Sequence, residues 1–271
     1  MHEPERSKSE HSVFELSKWY LDCVSDAGDA LIVYFAELRW RAVTIRYSNT
    51  ITCRDSDVRA AFALRGCAPP SLSGGTVTWR SRTLGVSGSW TALAEPLKQN
   101  VLASETGGVD WECIQPKSAA SVQTGDEPAW SGLGYVERVR ITVAPWQMPI
   151  DELRWGRFHS GADTVVWIDW RGARSRRLVF RNGAAVTAGR ISDDGVALAD
   201  EVRIEMEDHR VLREGLLGST VLAGIPKLLR IVPGQILNVE ETKWLSRASL
   251  RRPGAPAARG WAIHEVVRWP R

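Results

Sequence analysis

Apolar residues in this chain almost nowhere recur at a helical period. Short runs rich in Val, Ile, Thr, Tyr and Trp recur instead, each closed by turn residues. That punctuation restricts the chain to antiparallel β-structure. In the first half the pattern predicts strands over 30–38, 39–47, 58–64, 76–79, 85–94, 97–104, 109–115 and 133–143. In the second half it predicts them over 153–158, 164–171, 176–182, 184–191, 201–207, 210–214, 235–245 and 258–269. Asp26-Ala27-Gly28-Asp29 reads as a hairpin turn, and Asn182-Gly183 is the strongest two-residue hairpin signal. Residues 116–130 read as a polar loop. Residues 216–229 allow a short helix, which Gly218, Gly224 and Pro226 weaken.

Pro145 and Pro149 bracket an extended connection. The expected organisation is therefore a tail (1–14), a first β domain (15–148) and a second (149–271). The halves look like distant copies. Trp19-Tyr20-Leu21-Asp22 leads through a turn to Leu31-Ile32-Val33-Tyr34, as Trp155-Gly156-Arg157-Phe158 leads to Val165-Val166-Trp167. Many antiparallel strands in a row, twice, fit two up-and-down barrels packed together with little helix. Small barrels of this kind enclose an apolar cavity.

The most telling run is Gly132 to Val143. Read at a period of two, one phase carries Leu133, Tyr135, Glu137, Val139, Ile141 and Val143. The apolar phase thus has a carboxyl group at its centre. Such a group must find a partner or stay protonated, and a neutral acid facing an apolar cavity is a proton donor. The last strand repeats the pattern, with Glu265 in phase with Trp261, Ile263, Val267 and Trp269. His264 falls on the opposite phase and reads as surface.

Composition narrows the function classes. The net charge is only +3 and the arginines are scattered among acids, which argues against nucleic acid. No apolar run approaches a membrane span, although peripheral membrane contact stays open. Residues 1–10 are polar, which predicts a flexible tail without a secretory signal and a cytoplasmic location. Cys23, Cys53, Cys67 and Cys113 lie far apart and read as reduced core thiols. The five histidines show no metal-ligand spacing, and there is no Gly-rich phosphate loop, so neither metal nor cofactor is expected. Oligomeric state is not readable. There are 13 Trp against 5 Phe and 4 Tyr. Such an excess serves either as strand-end core packing or as an aromatic wall around a large apolar ligand.

Four short motifs stand out: Gly134-Tyr135-Val136-Glu137, Ala144-Pro145-Trp146-Gln147-Met148-Pro149, Leu153 to Phe158, and Trp167-Ile168-Asp169-Trp170-Arg171-Gly172. Together they resemble the carotenoid 1,2-hydratase family. Trp19-Tyr20-Leu21-Asp22 is similar to the motif opening its first domain, and Gly260 to Glu265 to its final strand. The resemblance implies two lipocalin-like domains and an apolar cavity without a redox cofactor. It implies activities ranging from hydration of acyclic carotenoids to cyclisation or Diels–Alder reaction of polyenes. This chain is shorter than the hydratases, and no unambiguous motif marks their catalytic acid.

Protonating an unactivated alkene requires an acid kept neutral by burial, aromatic faces for the cation, and a water or internal nucleophile. The candidate acids are Glu137 first, then Asp169 and Glu265. The candidate substrate-contacting residues are Tyr135, Trp155, Trp167, Trp170, His159 and Tyr20. Each has a plainer reading. Glu137 would be paired with Arg154 or Arg157, Asp169 would cap the turn at Arg171-Gly172, the aromatics would be core, and His159 would be structural. The leading expectation is a cofactor-independent hydratase or cyclase acting on a hydrophobic isoprenoid or polyketide. The alternatives are a carrier of a lipid or pigment, and a structural protein whose own Trp side chains fill every void.

Overall fold

A computed structural model describes residues 14–199, 201–224 and 232–270. Of the expected tail (1–14), residues 1–13 lie outside them, and Phe14 opens the first strand. Ten strands form the first sheet: β1 (Phe14–Val24), β2 (Ala30–Trp40), β3 (Val43–Arg54), β4 (Asp57–Ala63), β5 (Ser71–Ser73), β6 (Thr76–Ser81), β7 (Val86–Ala92), β8 (Leu97–Ser104), β9 (Gly107–Thr124) and β10 (Trp130–Ile141). Nine form the second: β11 (Glu152–Ser160), β12 (Thr164–Arg171), β13 (Arg176–Arg181), β14 (Ala184–Ala185), β15 (Ala188–Ile191), β16 (Gly195–Leu198), β17 (Arg203–Leu216), β18 (Glu240–Arg252) and β19 (Ala255–Arg268).

The two sheets share one topology. The first runs β4-β3-β2-β1-β10-β9-β7-β6-β5, with β8 also pairing with β9, and the second runs β14-β13-β12-β11-β19-β18-β17-β16-β15. In each, the opening strand lies beside the closing one, all antiparallel. The result is two lipocalin-like β domains. Among the described residues no ladder joins β4 to β5, so hydrogen bonding does not close the first sheet into a barrel.

The turns follow their sequence chemistry. Asn182 and Gly183 both have positive φ (49° and 85°), as a tight hairpin between β13 and β14 requires. Gly28 has φ 90°, and a Cβ there would lie 2.4 Å from the indole of Trp261. The β1–β2 hairpin thus docks against β19 through a position only glycine fits.

Several expectations need correction. Residues 116–124 continue β9 and are not loop, because a bulge absorbs Pro116. Gln115 pairs with Val136 and Ser118 with Gly134, leaving Pro116 and Lys117 opposite Tyr135 alone. Pro145–Gln147 forms a single 3-10 turn within the expected extended connection, since proline is welcome at the start of a helical turn. Within 216–229, β17 ends at Leu216 and hydrogen-bonded turns follow it, while 225–231 lie outside the described residues. His264 is buried, not on the surface. It hydrogen-bonds Ser246 and stacks on Trp244, and burial together with nearby His209 holds its pKa down at about 3.

Three apolar cores result. One lies inside each sheet, around Leu21, Val33 and Trp90 in the first and Phe158, Trp167 and Leu250 in the second. The third lies between the sheets, around Tyr20, Tyr34, Tyr135, Trp155 and Ile263. β1 and β2 are therefore buried on both faces along much of their length. Among the described residues no helix is long and apolar enough to cross a membrane.

Candidate functional site

Between the sheets the third core opens into a cavity of about 340 Å³. Alternating residues of the central strands line it: Leu16 and Lys18 from β1, Glu137 and Val139 from β10, Leu153 and Trp155 from β11, and Glu265 and Val267 from β19. Glu137 and Glu265 thus lie in one place because both halves put their closing strand at the interface. Six of the 13 tryptophans line the cavity: Trp40, Trp111, Trp146, Trp155, Trp170 and Trp269. The aromatic excess serves as cavity wall and as core at once. The acid thus faces the other domain, across the space between the two sheets. Strand periodicity gives two faces, and here both are apolar.

Glu137 is 5% exposed. Neither Arg154 nor Arg157 is its partner. Arg154 pairs with Glu152 and Asp193, and Arg157 with Asp22. Three neutral donors converge instead on Glu137 Oε2: Trp111 Nε1 at 2.6 Å, Tyr135 Oη at 2.7 Å and Trp155 Nε1 at 3.1 Å. No described residue hydrogen-bonds Oε1, which leaves that oxygen to the cavity. Burial pushes the Glu137 carboxyl above its ordinary value, and the hydrogen bonds from Trp111 and Tyr135 and the charge of Lys18 pull back only in part. Three donors require Oε2 to be an acceptor, so the proton of the neutral form resides on Oε1, facing the cavity.

Glu265 has the opposite electrostatics. Burial alone would raise it, but ion pairing with Lys243 and the charge of Lys18 hold its carboxyl below the ordinary range. It is an anion with a partner, not a proton donor. Nearby, Arg213 donates to Asn49 Oδ1 at 2.6 Å and lies 3.5 Å from Glu241. The floor is thus polar and the walls apolar, an arrangement suited to a small amphiphilic molecule.

Solved structures share this architecture. CghA with Sch210972 superposes with a TM-score of 0.57 at 9% identity, over 94% of this chain and 88% of that one. A protein of Nitrosomonas europaea assigned as AttH gives 0.55 at 11% identity, over 95% and 94%. Kievitone hydratase from Nectria haematococca gives 0.51 at 9% identity, over 95% and 89%. The likeness is one of fold. No family model and no curated protein matches the sequence.

The other candidate residues divide. Trp155 and Trp170 line the cavity, whereas Tyr20 and Tyr135 pack beneath it. Tyr20 donates to Asp22 at 3.0 Å and stands 4.9 Å, ring to ring, from Trp155. Trp167 points the other way, into the core of the second sheet. Asp169 shares that phase and pairs with Arg171 at 2.7 Å and Arg177 at 3.0 Å, away from the cavity. His159 Nε2 donates to Pro116 O (2.8 Å), far along β11, where burial and the charge of Arg157 hold its pKa well down. Lys18, Trp111, Arg213 and Lys243 were missed. Lys18 carries the same signal as Glu137, a charge on the phase of Leu16 and Tyr20, and a search for both signs of charge finds it.

Proposed function

We propose that this chain is a cofactor-independent enzyme that protonates an apolar unsaturated small molecule, an isoprenoid or a polyketide polyene, in the cavity between its two sheets. Hydration or cyclisation follows. The observation that carries this reading is Glu137: a buried carboxyl with one oxygen fixed by three donors and the other facing an aromatic cavity. Glu137 Oε1–H gives its proton to one alkene carbon, whose π pair forms the new C–H bond. The cation left on the other carbon faces indole rings, each worth about 1–2 kcal/mol when water is excluded. Water, or an internal hydroxyl or double bond, supplies the closing electron pair, and the proton lost returns to Glu137. The donors on Oε2 stabilise the carboxylate formed in between. That a hydratase and a protein solved with Sch210972 share the fold supports this chemistry.

The test uses a panel of acyclic carotenoids and polyenes incubated with the protein in heavy water. Mass spectrometry should find a hydrated or cyclised product carrying one deuterium on carbon. Glu137→Gln should fold and lower that turnover by at least about 100-fold. Turnover at the parent rate removes Glu137 from the acid role. A ligand recovered unchanged from every incubation favours a carrier of lipid or pigment.

A further inference from the structure

All but one of the charged side chains on the cavity floor are satisfied from within the protein. Glu265 has Lys243, Arg213 has Asn49 and Glu241, and Glu137 has three donors. Lys18 lines the cavity, and among the described residues no carboxylate lies within ion-pairing distance of it. Its Nζ is 5.1 Å from the centre of the Tyr34 ring, and the Arg213 guanidinium is 5.1 Å from the same ring. Two cations therefore border one tyrosine at the floor. Three cations (Lys18, Arg213, Lys243) and three carboxyl groups (Glu137, Glu241, Glu265) gather there, and Lys18 is the cation among them with no ion pair to a described residue. The nearby charge of Glu265 acts on Lys18 without contact, so its ammonium is held out of bulk water with no anion against it, a position that a ligand anion in direct contact would fill.

The register places this charge beside the acid. Lys18 pairs with Val139 and Tyr20 with Glu137, so residues 18 and 137 are diagonal neighbours on adjacent strands, roughly 7–8 Å apart. In the other direction along β1, Phe14 packs against Trp146 (6.0 Å) and Trp146 against Trp40 (5.2 Å), so that end is apolar and aromatic.

We propose that Lys18 seats a single anionic oxygen group of the substrate, a carboxylate or an enolate, while the unsaturated chain runs toward Phe14, Trp40 and Trp146. The substrate is then an amphiphile with one ionised head, and the bond protonated by Glu137 lies at the head end. This deepens the reading of the cavity given above and rests on it for the identity of the reacting group.

The experiment measures binding and not turnover, so its outcome is separate from that of the Glu137 test. cis-Parinaric acid, a conjugated tetraene, and its methyl ester are titrated into the full-length protein at neutral pH. Energy transfer from the cavity tryptophans reports occupancy. The acid should bind about tenfold or more tightly than the ester, as one charge-assisted contact supplies. Lys18→Met should bind the acid only as well as the ester, Lys18→Arg should keep the preference, and Glu137→Gln should keep it too. Equal affinity for acid and ester in the native protein, binding of neither, or a preference that survives Lys18→Met in a folded variant overturns the proposal. The first comparison needs no variant and stands if Lys18→Met does not fold.

Discussion

Whether Glu137 is neutral inside the folded protein is testable without any substrate, by comparing Glu137→Gln with the native chain as a function of pH. Glutamine copies the protonated acid: its carbonyl takes the place of Oε2 under Trp111, Tyr135 and Trp155, and its amide takes the place of Oε1–H toward the cavity. The variant should therefore fold. The native carboxyl has its pKa raised above 4.5 in the folded state. The folded protein thus holds this proton to higher pH than the unfolded chain does. The resulting stabilisation is fully present below 4.5 and is lost as pH rises toward the folded value. Across that window the native protein should lose about 1.4 kcal/mol per pH unit relative to Glu137→Gln, and above it the difference should level off. Urea denaturation of both proteins, followed by tryptophan fluorescence from about pH 4 to about pH 8, gives the difference directly. A difference that is flat, or that favours the native protein more as pH rises, would mean an anionic Glu137 held by Lys18 and its three donors. The proton-donor mechanism would then fall.

Tyr135→Phe removes one of the donors to Oε2. Because that hydrogen bond favours the carboxylate, its loss should move the upper edge of the same pH window upward by about one unit, read in the same titration. Arg157→Met leaves Asp22 without its cation at a position with no solvent exposure, where Arg157 Nη2 and Nε donate to the two carboxylate oxygens at 2.7 and 3.1 Å. Burial already pushes the Asp22 carboxyl up against the pull of Arg157. The single change should destabilise the protein by about 3–5 kcal/mol, and adding Asp22→Asn should recover much of the loss. A urea midpoint unmoved by Arg157→Met would show that the pair does not tie the two sheets together.

What the sequence could reveal follows from what strand periodicity measures. A period of two separates two faces but does not say what each face meets. On β10 it correctly sets Tyr135, Glu137 and Val139 apart from Val136 and Arg138. It cannot tell that the first set meets the other domain and Val136 meets the core of its own sheet. The same ambiguity misdirected Trp167 and Asp169. Their phase on β12 is as apolar as that of Ile168 and Trp170, yet only the latter two reach the cavity. Hairpins such as Asn182-Gly183 were legible because backbone conformation at two residues decides them locally. Pro116 misled because proline signals a loop locally, whereas a bulge opposite Tyr135 makes room for it within a strand, and its carbonyl meets His159. The tandem topology decides the site. Each half closes on its own first strand, the two seams β1–β10 and β11–β19 face each other, and any charged residue on the inward phase of those four strands is delivered to one interface. Asp22 and Arg157 meet there as a pair, and Glu265 meets Lys243 from the neighbouring β18. Glu137 and Lys18 are the ionisable groups on that seam without a direct ion pair among the described residues. A carboxyl pushed up by burial and a cation with no carboxylate in contact, on adjacent strands beside a cavity, are the two groups that a substrate with an ionised head and a nearby double bond would engage together.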